Sequence, residues 1–197
     1  MKKTTLAVLA AATSLVASPS FAATTIYTDQ AAFLSALNAS SLEDFADTTL
    51  ATGLSFSSTV GSITSGRFAD QLAPGAQTTT FNFATAVNAF GGNFDLSPGG
   101  AGIGIQFTTA PGGLIGTEVP RDFSGQFFGF ISDTAFTSVL LTGGTQANGV
   151  ETYNLDNLVF GTGAAVPEPG TWAMMIVGIG LAGGAMRRRA TAKIRFA

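Results

Sequence analysis

The sequence predicts a mainly β fold, an antiparallel sandwich, and three observations predict it. Charged residues make up only 11% of the 197, while Phe numbers 17 and Gly 25. Short runs rich in Thr, Val, Ile and Phe recur from about position 41 to 160, the look of many strands joined by tight turns. Their punctuation is dense: Pro74-Gly75, Gly91-Gly92, Pro98-Gly99-Gly100, Pro111-Gly112-Gly113 and Gly143-Gly144. No regular helical spacer separates the runs, which favours antiparallel pairing over βαβ units.

Taken in order, residues 24–28 read as a first strand. Asp29 can cap a helix running to about Asn38, with Ala32, Phe33, Ala36 and Leu37 on one face. It is the one substantial helix expected before the C-terminal tail. Strands are then expected near 41–45, 54–60, 78–83, 87–96, 102–108, 113–119, 122–131, 136–141 and 151–160. In Thr79-Thr80-Phe81-Asn82-Phe83 the two phenylalanines share a face. From Asn154 to Phe160 alternation is partial, suggesting burial on both faces near the end. Nine or so strands at this spacing suit a jelly-roll-like sandwich.

Both ends of the chain have the zoning of targeting segments. Lys2 and Lys3 precede an apolar run at 6–16, and Ser20-Phe21-Ala22 offers small residues for a signal peptidase cutting after Ala22. That run is too short to cross a bilayer core of about 30 Å comfortably. At the other end, an uncharged apolar stretch from Trp172 to Met186 runs into Arg187, Arg188 and Arg189, with Lys193 and Arg195 beyond. This reads as a C-terminal transmembrane helix stopped by arginines on the cytoplasmic side, Trp172 suiting the outer interface. The stretch is nearer fifteen residues than the usual figure of about twenty, so snorkelling or local thinning must make up the difference. Gly180 and Gly184 are four apart, either a helix-packing face or simply tolerated. The organisation expected is a signal peptide at 1–22, a β-sandwich domain at 23–161, a linker at 162–166, a sorting segment at 167–190 and a basic tail at 191–197.

The segment VPEPGTWAMMIVGIGLAGGAMRRRA closely resembles the PEP-CTERM sorting signal in its PEPxxWA form, from Val166 to about Ala190. The resemblance implies that Pro167, Glu168 and Pro169, with Trp172, form the element recognised by exosortase. It implies a cut nearby, after an intermediate held at the inner membrane, and a destination at the cell surface or in an extracellular matrix. Independently of it, two prolines around a glutamate keep helix or sheet from covering that tripeptide.

The body carries a second resemblance. TIYTDQAAFLSAL, SLEDF, FFGFISDTAFTSVLLTG and ETYNLDNLVFG resemble the domain usual in PEP-CTERM proteins. The last two segments are also similar to carbohydrate-binding-module and galactose-binding jelly rolls. Leu155-Asp156-Asn157-Leu158 departs from the hydrophobic–Asp–Asp–hydrophobic pattern of those strands, with asparagine for the second acid. The resemblance implies that Glu43 and Asp156 share a structural calcium, with backbone carbonyls and Asn157 or Asp44 filling the six to eight oxygens calcium takes. The alternative is that both carboxylates are solvated or bond to nearby backbone.

Composition narrows the chemistry. Between 23 and 166 only Arg67 and Arg121 are basic, against eleven acids, a formal charge of −9. Such a surface has no footprint for nucleic acid and is repelled by anionic membranes. The chain has no Cys and no His, which excludes Ser-His-Asp and Cys-His catalysis and zinc sites of thiolate or imidazole. An enzyme would have to be a secreted carboxylate-dependent polysaccharide hydrolase, yet with eleven acids some pair is inevitable and none sits in a recognised motif. Glu118 and Asp122 flank Pro120-Arg121 and read as a surface ion pair. Phe127, Phe128 and Phe130 read as core, the usual sugar platforms being Trp and Tyr, and this domain has only Tyr27 and Tyr153. The function expected is therefore non-enzymatic: an exported structural or weakly carbohydrate- or matrix-binding module, with the hydrolase as alternative.

Overall fold

A computed structural model of the chain describes residues 23–100, 102–164 and 169–189. The expected signal peptide with Ala22, the residues Pro167 and Glu168, and the basic tail at 191–197 lie outside these. Asp29 caps the first helix as its sequence suggests: its Oδ1 accepts the Ala32 N–H at 2.7 Å. That helix, α1 (Gln30–Ser35), is shorter than expected, because the chain turns at Ala36 into strand β2 (Leu37–Glu43). Here antiparallel pairing with the last strand overrides local helical preference.

Among the described residues ten strands form, and every pairing of them is antiparallel. In chain order the others are β1 (Thr24–Tyr27), β3 (Leu54–Ser58), β4 (Ser62–Thr64), β5 (Arg67–Leu72), β6 (Thr79–Asp95), β7 (Ile105–Ala110), β8 (Gly113–Leu114), β9 (Ser124–Gly143) and β10 (Glu151–Gly163). The strands expected at 78–83 and 87–96 are one strand, β6, whose register slips between Asn82 and Ala89 around the exposed residues 84–86. Those expected at 122–131 and 136–141 likewise merge into β9. The strand expected at 113–119 shrinks to β8 and one bridge from Val119 to Ile105. β4 and β5 were not expected. They form a hairpin whose two-residue turn, Ser65-Gly66, has φ of 53° and 74°, the primed turn geometry that matches strand twist. β10 runs through Gly163, two residues into the stretch expected as linker.

β6 and β9 each serve two layers. Their halves at 79–82 and 138–143 join β3, β7 and β8 in one layer. Their halves at 89–95 and 124–132 join β10 and β1 in the other, where β5 and β2 share the far side of β10. Hydrogen bonding is thus continuous through one ten-stranded sheet, folded over so that Phe107 of β7 faces Phe90, Phe94 and Phe128 of β6 and β9.

Phenylalanine fills the space between the layers. Phe107 of β7 stacks on Phe128 of β9, with ring centroids 5.5 Å apart, and meets Phe90 and Phe94 of β6 at 5.9 and 5.8 Å. Phe68 of β5 packs edge-on against Phe56 and Phe81. A smaller cluster lies on the outer face, where α1 lays Phe33 over Ala89, Phe127, Ile131 and Val159. Phe127, Phe128 and Phe130 are all buried, as their core reading requires.

The tail forms a 21-residue helix, α2 (Pro169–Arg189), containing Trp172 and Arg187 to Arg189. Among the described residues, however, no helix is long and apolar enough to cross a membrane. A membrane span is therefore not shown, and what the described residues form is an apolar helix. Its uncharged stretch from Trp172 to Met186 would reach only about 22 Å at 1.5 Å per residue, and four glycines dilute its hydropathy. Ile176, Ile179 and Leu181 are exposed on it.

Because Phe107 touches four other rings, Phe107→Ala should cost about 3–5 kcal/mol of stability. Urea unfolding of the purified protein checks this, and a loss under 1 kcal/mol would mean the layers do not meet there.

Candidate functional site

Strand alternation builds a polar groove on the outer face of the β5–β10–β6–β9 layer. In β6, Phe94 points into the core, so Asn93 and Asp95 point out; in β10, Tyr153 and Leu155 point in, so Asn154 and Asp156 point out. The register sets Asn154 opposite Asp95 and Asp156 opposite Asn93. Two carboxylates and two carboxamides therefore tile one patch, each acid facing an amide on the neighbouring strand. Arg67 at the start of β5, Gln30 at the start of α1, Gly125 of β9 and Asn157 complete a cavity of about 490 Å³. That is within the size range of small-ligand sites.

Local bonds hold these groups in place. Asp95 Oδ1 accepts the Ser97 N–H at 3.0 Å and the Ser97 hydroxyl at 2.6 Å. Burial pushes its carboxyl up, but the bonds from Ser97 and Asn154 and the Arg67 charge outweigh this and hold it below the usual carboxylate range. Asn93 Nδ2 donates to the Gly125 carbonyl at 3.1 Å. Asp156 Oδ1 accepts the Asn157 N–H at 2.7 Å, and Asn157 sits at φ 49°, a left-handed value asparagine tolerates. Pairing with β6 skips between Asp156 and Val159, a bulge that re-aims the strand next to the groove.

Of the residues singled out from sequence, Asp156 lies in this groove and Glu43 does not. Glu43 is buried, 4% exposed, opposite the core residue Leu158. Its Oε1 accepts the Phe45 N–H at 2.7 Å and its Oε2 the Ala51 N–H at 2.5 Å, so it pins the loop after β2. Asp156 belongs to the outward set and lines the groove. Asp44 bonds the Ala46 N–H. Among the described residues no group of three or more His, Cys, Asp or Glu is placed to hold a metal. Glu118 bonds Thr145, Gln146 and Gln106 instead of forming the expected ion pair.

Sequence reasoning did not find Arg67, Asn93, Asp95 or Asn154. The signal was present: Gly-Asn-Phe-Asp-Leu at 92–96 and Tyr-Asn-Leu-Asp at 153–156 both place polar residues at every second position. What was missing was the register that joins the two runs.

A glycosidase needs one carboxyl kept protonated and a second kept ionised. In the groove Asp95 is pushed the wrong way for an acid. The carboxyl that is pushed up, Glu151, is sealed inside: its Oε2 accepts the Ile103 and Gly104 N–H groups at 2.7 and 2.6 Å, while its buried Oε1 has no partner. Burial raises it more than the two N–H bonds lower it.

Residues 165–189 match the PEP-CTERM protein-sorting motif. No curated protein matches the chain by sequence. Among solved structures, a mutant of a carbohydrate binding module family 29 is similar at 11% identity and a TM-score of 0.45, covering 66% of this chain and 98% of that one. Two mutants of CBM29-2 are similar at 11% identity, with TM-scores of 0.43 and 0.45, each covering 66% of this chain and 99% and 91% of theirs.

The Glu151 carboxyl has a folded pKa above its unfolded value, so the folded state binds the extra proton and stability falls as pH rises. Its contribution is complete below the ordinary glutamate value and lost as pH climbs through the raised folded value. Glu151→Gln should flatten that part of the melting-temperature profile. An unchanged slope would show that Glu151 is not the group responsible.

Proposed function

We propose that this chain is the precursor of an exported surface or matrix protein, sorted by exosortase, whose sandwich is a non-enzymatic module for neutral polysaccharide. The outward tile of Asn93, Asp95, Asn154 and Asp156 carries the binding part of this reading. A sugar ring presents adjacent hydroxyls, each a donor and an acceptor. Carboxylates accept from them, carboxamides do both, and Arg67 donates. The mixture of one cation, two anions and several amides answers a neutral polyol better than a charged one. Each such bond nets about 0.5–1.5 kcal/mol, and no aromatic ring lines the groove. Affinity in the range of about 0.1–1 mM, worth roughly 4–5.5 kcal/mol, is consistent with that.

The sorting part rests on the motif at 165–189. Signal peptidase removes 1–22, and the apolar tail then holds the chain at the inner membrane, its exposed side chains in α2 meeting lipid and its arginines kept at the cytoplasmic surface. Exosortase breaks one peptide bond near Pro167 to Pro169. The acyl carbon passes to water, or to an acceptor nucleophile, and the amine leaves with the tail.

On a glycan array, the secreted protein should bind one class of neutral polysaccharide. Asn154→Ala and Asp156→Ala should each weaken that binding about 5- to 10-fold with melting temperature preserved. Binding unaffected by either change would remove the groove from the reading. Mass spectrometry of the surface-located protein should recover no peptide from α2; finding that helix intact there would refute the sorting half.

A further inference from the structure

The first and last strands of the domain are tied together at one point. Asn88, in β6 just past the kink, is 9% exposed. Its Nδ2 donates to the Ser132 carbonyl at 2.9 Å and to the Gly163 carbonyl at 3.3 Å, and its Oδ1 accepts the Gly163 N–H at 2.7 Å. Ser132 is the partner of Thr24, and the Asp133 N–H donates to the Ala23 carbonyl at 2.9 Å. One carboxamide therefore links the end of β10 to Ser132 of β9, and Ser132 and Asp133 in turn hold the first strand at Thr24 and Ala23. Gly163 fits this seat closely: a Cβ there would meet Ile131 Cδ1 at 2.8 Å. One residue on, the Ala164 N–H donates to the Ala36 carbonyl at the end of α1.

Both tethers of the precursor thus leave from the same end of the sandwich, and the exit tether has little slack. In the sequence only Ala165 and Val166 separate Ala164 from Pro167. Three residues reach at most about 11 Å even when fully extended. An enzyme that grips an extended chain needs residues on the N-terminal side of its cut, and here their backbone groups are already taken: the Gly163 N–H and carbonyl by Asn88, and the Ala164 N–H by the Ala36 carbonyl. The same backbone groups cannot serve these bonds and an enzyme groove together.

Resting on the sorting reading above, we propose that Asn88 fastens both ends of the mature domain at a single membrane-facing end, and that the sorting cut waits on release of Gly163 and Ala164 from that fastening. The bond broken and the acceptor are those already given; only the access to them is new. Pulse-chase labelling of the full-length precursor in its exporting host tests this with two variants. Six Gly-Ser residues inserted between Ala164 and Ala165 leave every atom of the fastening untouched and supply the missing slack; conversion to the cut form should quicken about 5- to 10-fold, the equivalent of losing about one hydrogen bond. Asn88→Ala should quicken it similarly, and should add nothing once the spacer is present. Should Asn88→Ala fail to fold, the spacer variant alone decides. A wild-type precursor that is cut, with a spacer variant cut no faster, overturns the proposal. A wild-type precursor that is never cut instead removes the sorting reading and this inference with it.

Discussion

The constraint on which the rest depends is that β6 and β9 must each lie in both layers. A chain without cysteine has no covalent cross-link, so its stability comes from what it buries. Passing the long strands from one layer to the other puts Phe81 and Phe83, before the kink, and Phe90 and Phe94, after it, into one interior. A regular strand could not do this, because the period of two would turn the second pair outward wherever the layer reverses. The register slips between Asn82 and Ala89 correct the phase. The same crossing explains the facing pair Gly91 and Gly129, where a Cβ on Gly91 would meet Gly129 Cα and Phe127 Cζ, each at 2.8 Å. With no side chains there, the Phe127 ring can lie across the strands and receive Phe33 at 5.2 Å.

Several buried polar groups secure places where the strands hand over to loops. Glu43 holds the turn after β2, and Glu151 holds residues 103–104. Asp70 accepts from Ser58 at 2.6 Å and from Thr79, whose hydroxyl also accepts from Tyr153. Burial and the nearby Asp70 charge push the Tyr153 phenol well up, so it stays a neutral donor. A buried carboxylate is costly unless donors meet it, and at Glu43 and Asp70 they do. Several of the eleven acids are thus internal fasteners, which is why counting acids said little about metals or catalysis.

The sequence reported faces well and connections poorly. Asp29 as a cap, Phe33 under its helix and the inward phenylalanines of 79–83 all follow from local spacing, and local spacing is legible. So was the sorting segment, because its zones stand in order along the chain. The merging of 78–83 with 87–96 was not legible: Ala84-Thr85-Ala86 falls between the two expected strands, yet one strand runs through it with its register to β9 slipping there. β2 was mistaken for helix at Leu37 and Asn38 because its partner lies over a hundred residues away. The groove failed for the same reason. Asn93 and Asp95 were visible as outward residues, and so were Asn154 and Asp156, but only the pairing of β6 with β10 makes them one surface.

That pairing also fixes where the groove stands relative to the ends of the domain. Along β6, Asn93 and Asp95 follow Asn88 by five and seven residues, or about 16 and 23 Å at 3.3 Å per residue. Along β10, Asn154 and Asp156 precede Gly163 by a comparable stretch and run the opposite way, so the two strands agree on the direction. The point where Asn88 joins Ser132 to Gly163 is one end of the layer, and the groove lies toward the other. A domain held by a tether leaving at Ala164 therefore carries its polar groove away from whatever holds the tether. Had the groove been built near Asn88, a membrane would shadow it until the tail was removed. On the function proposed above, a groove at that end is open to polysaccharide both before and after the sorting cut, so the two proposed roles need not wait on each other.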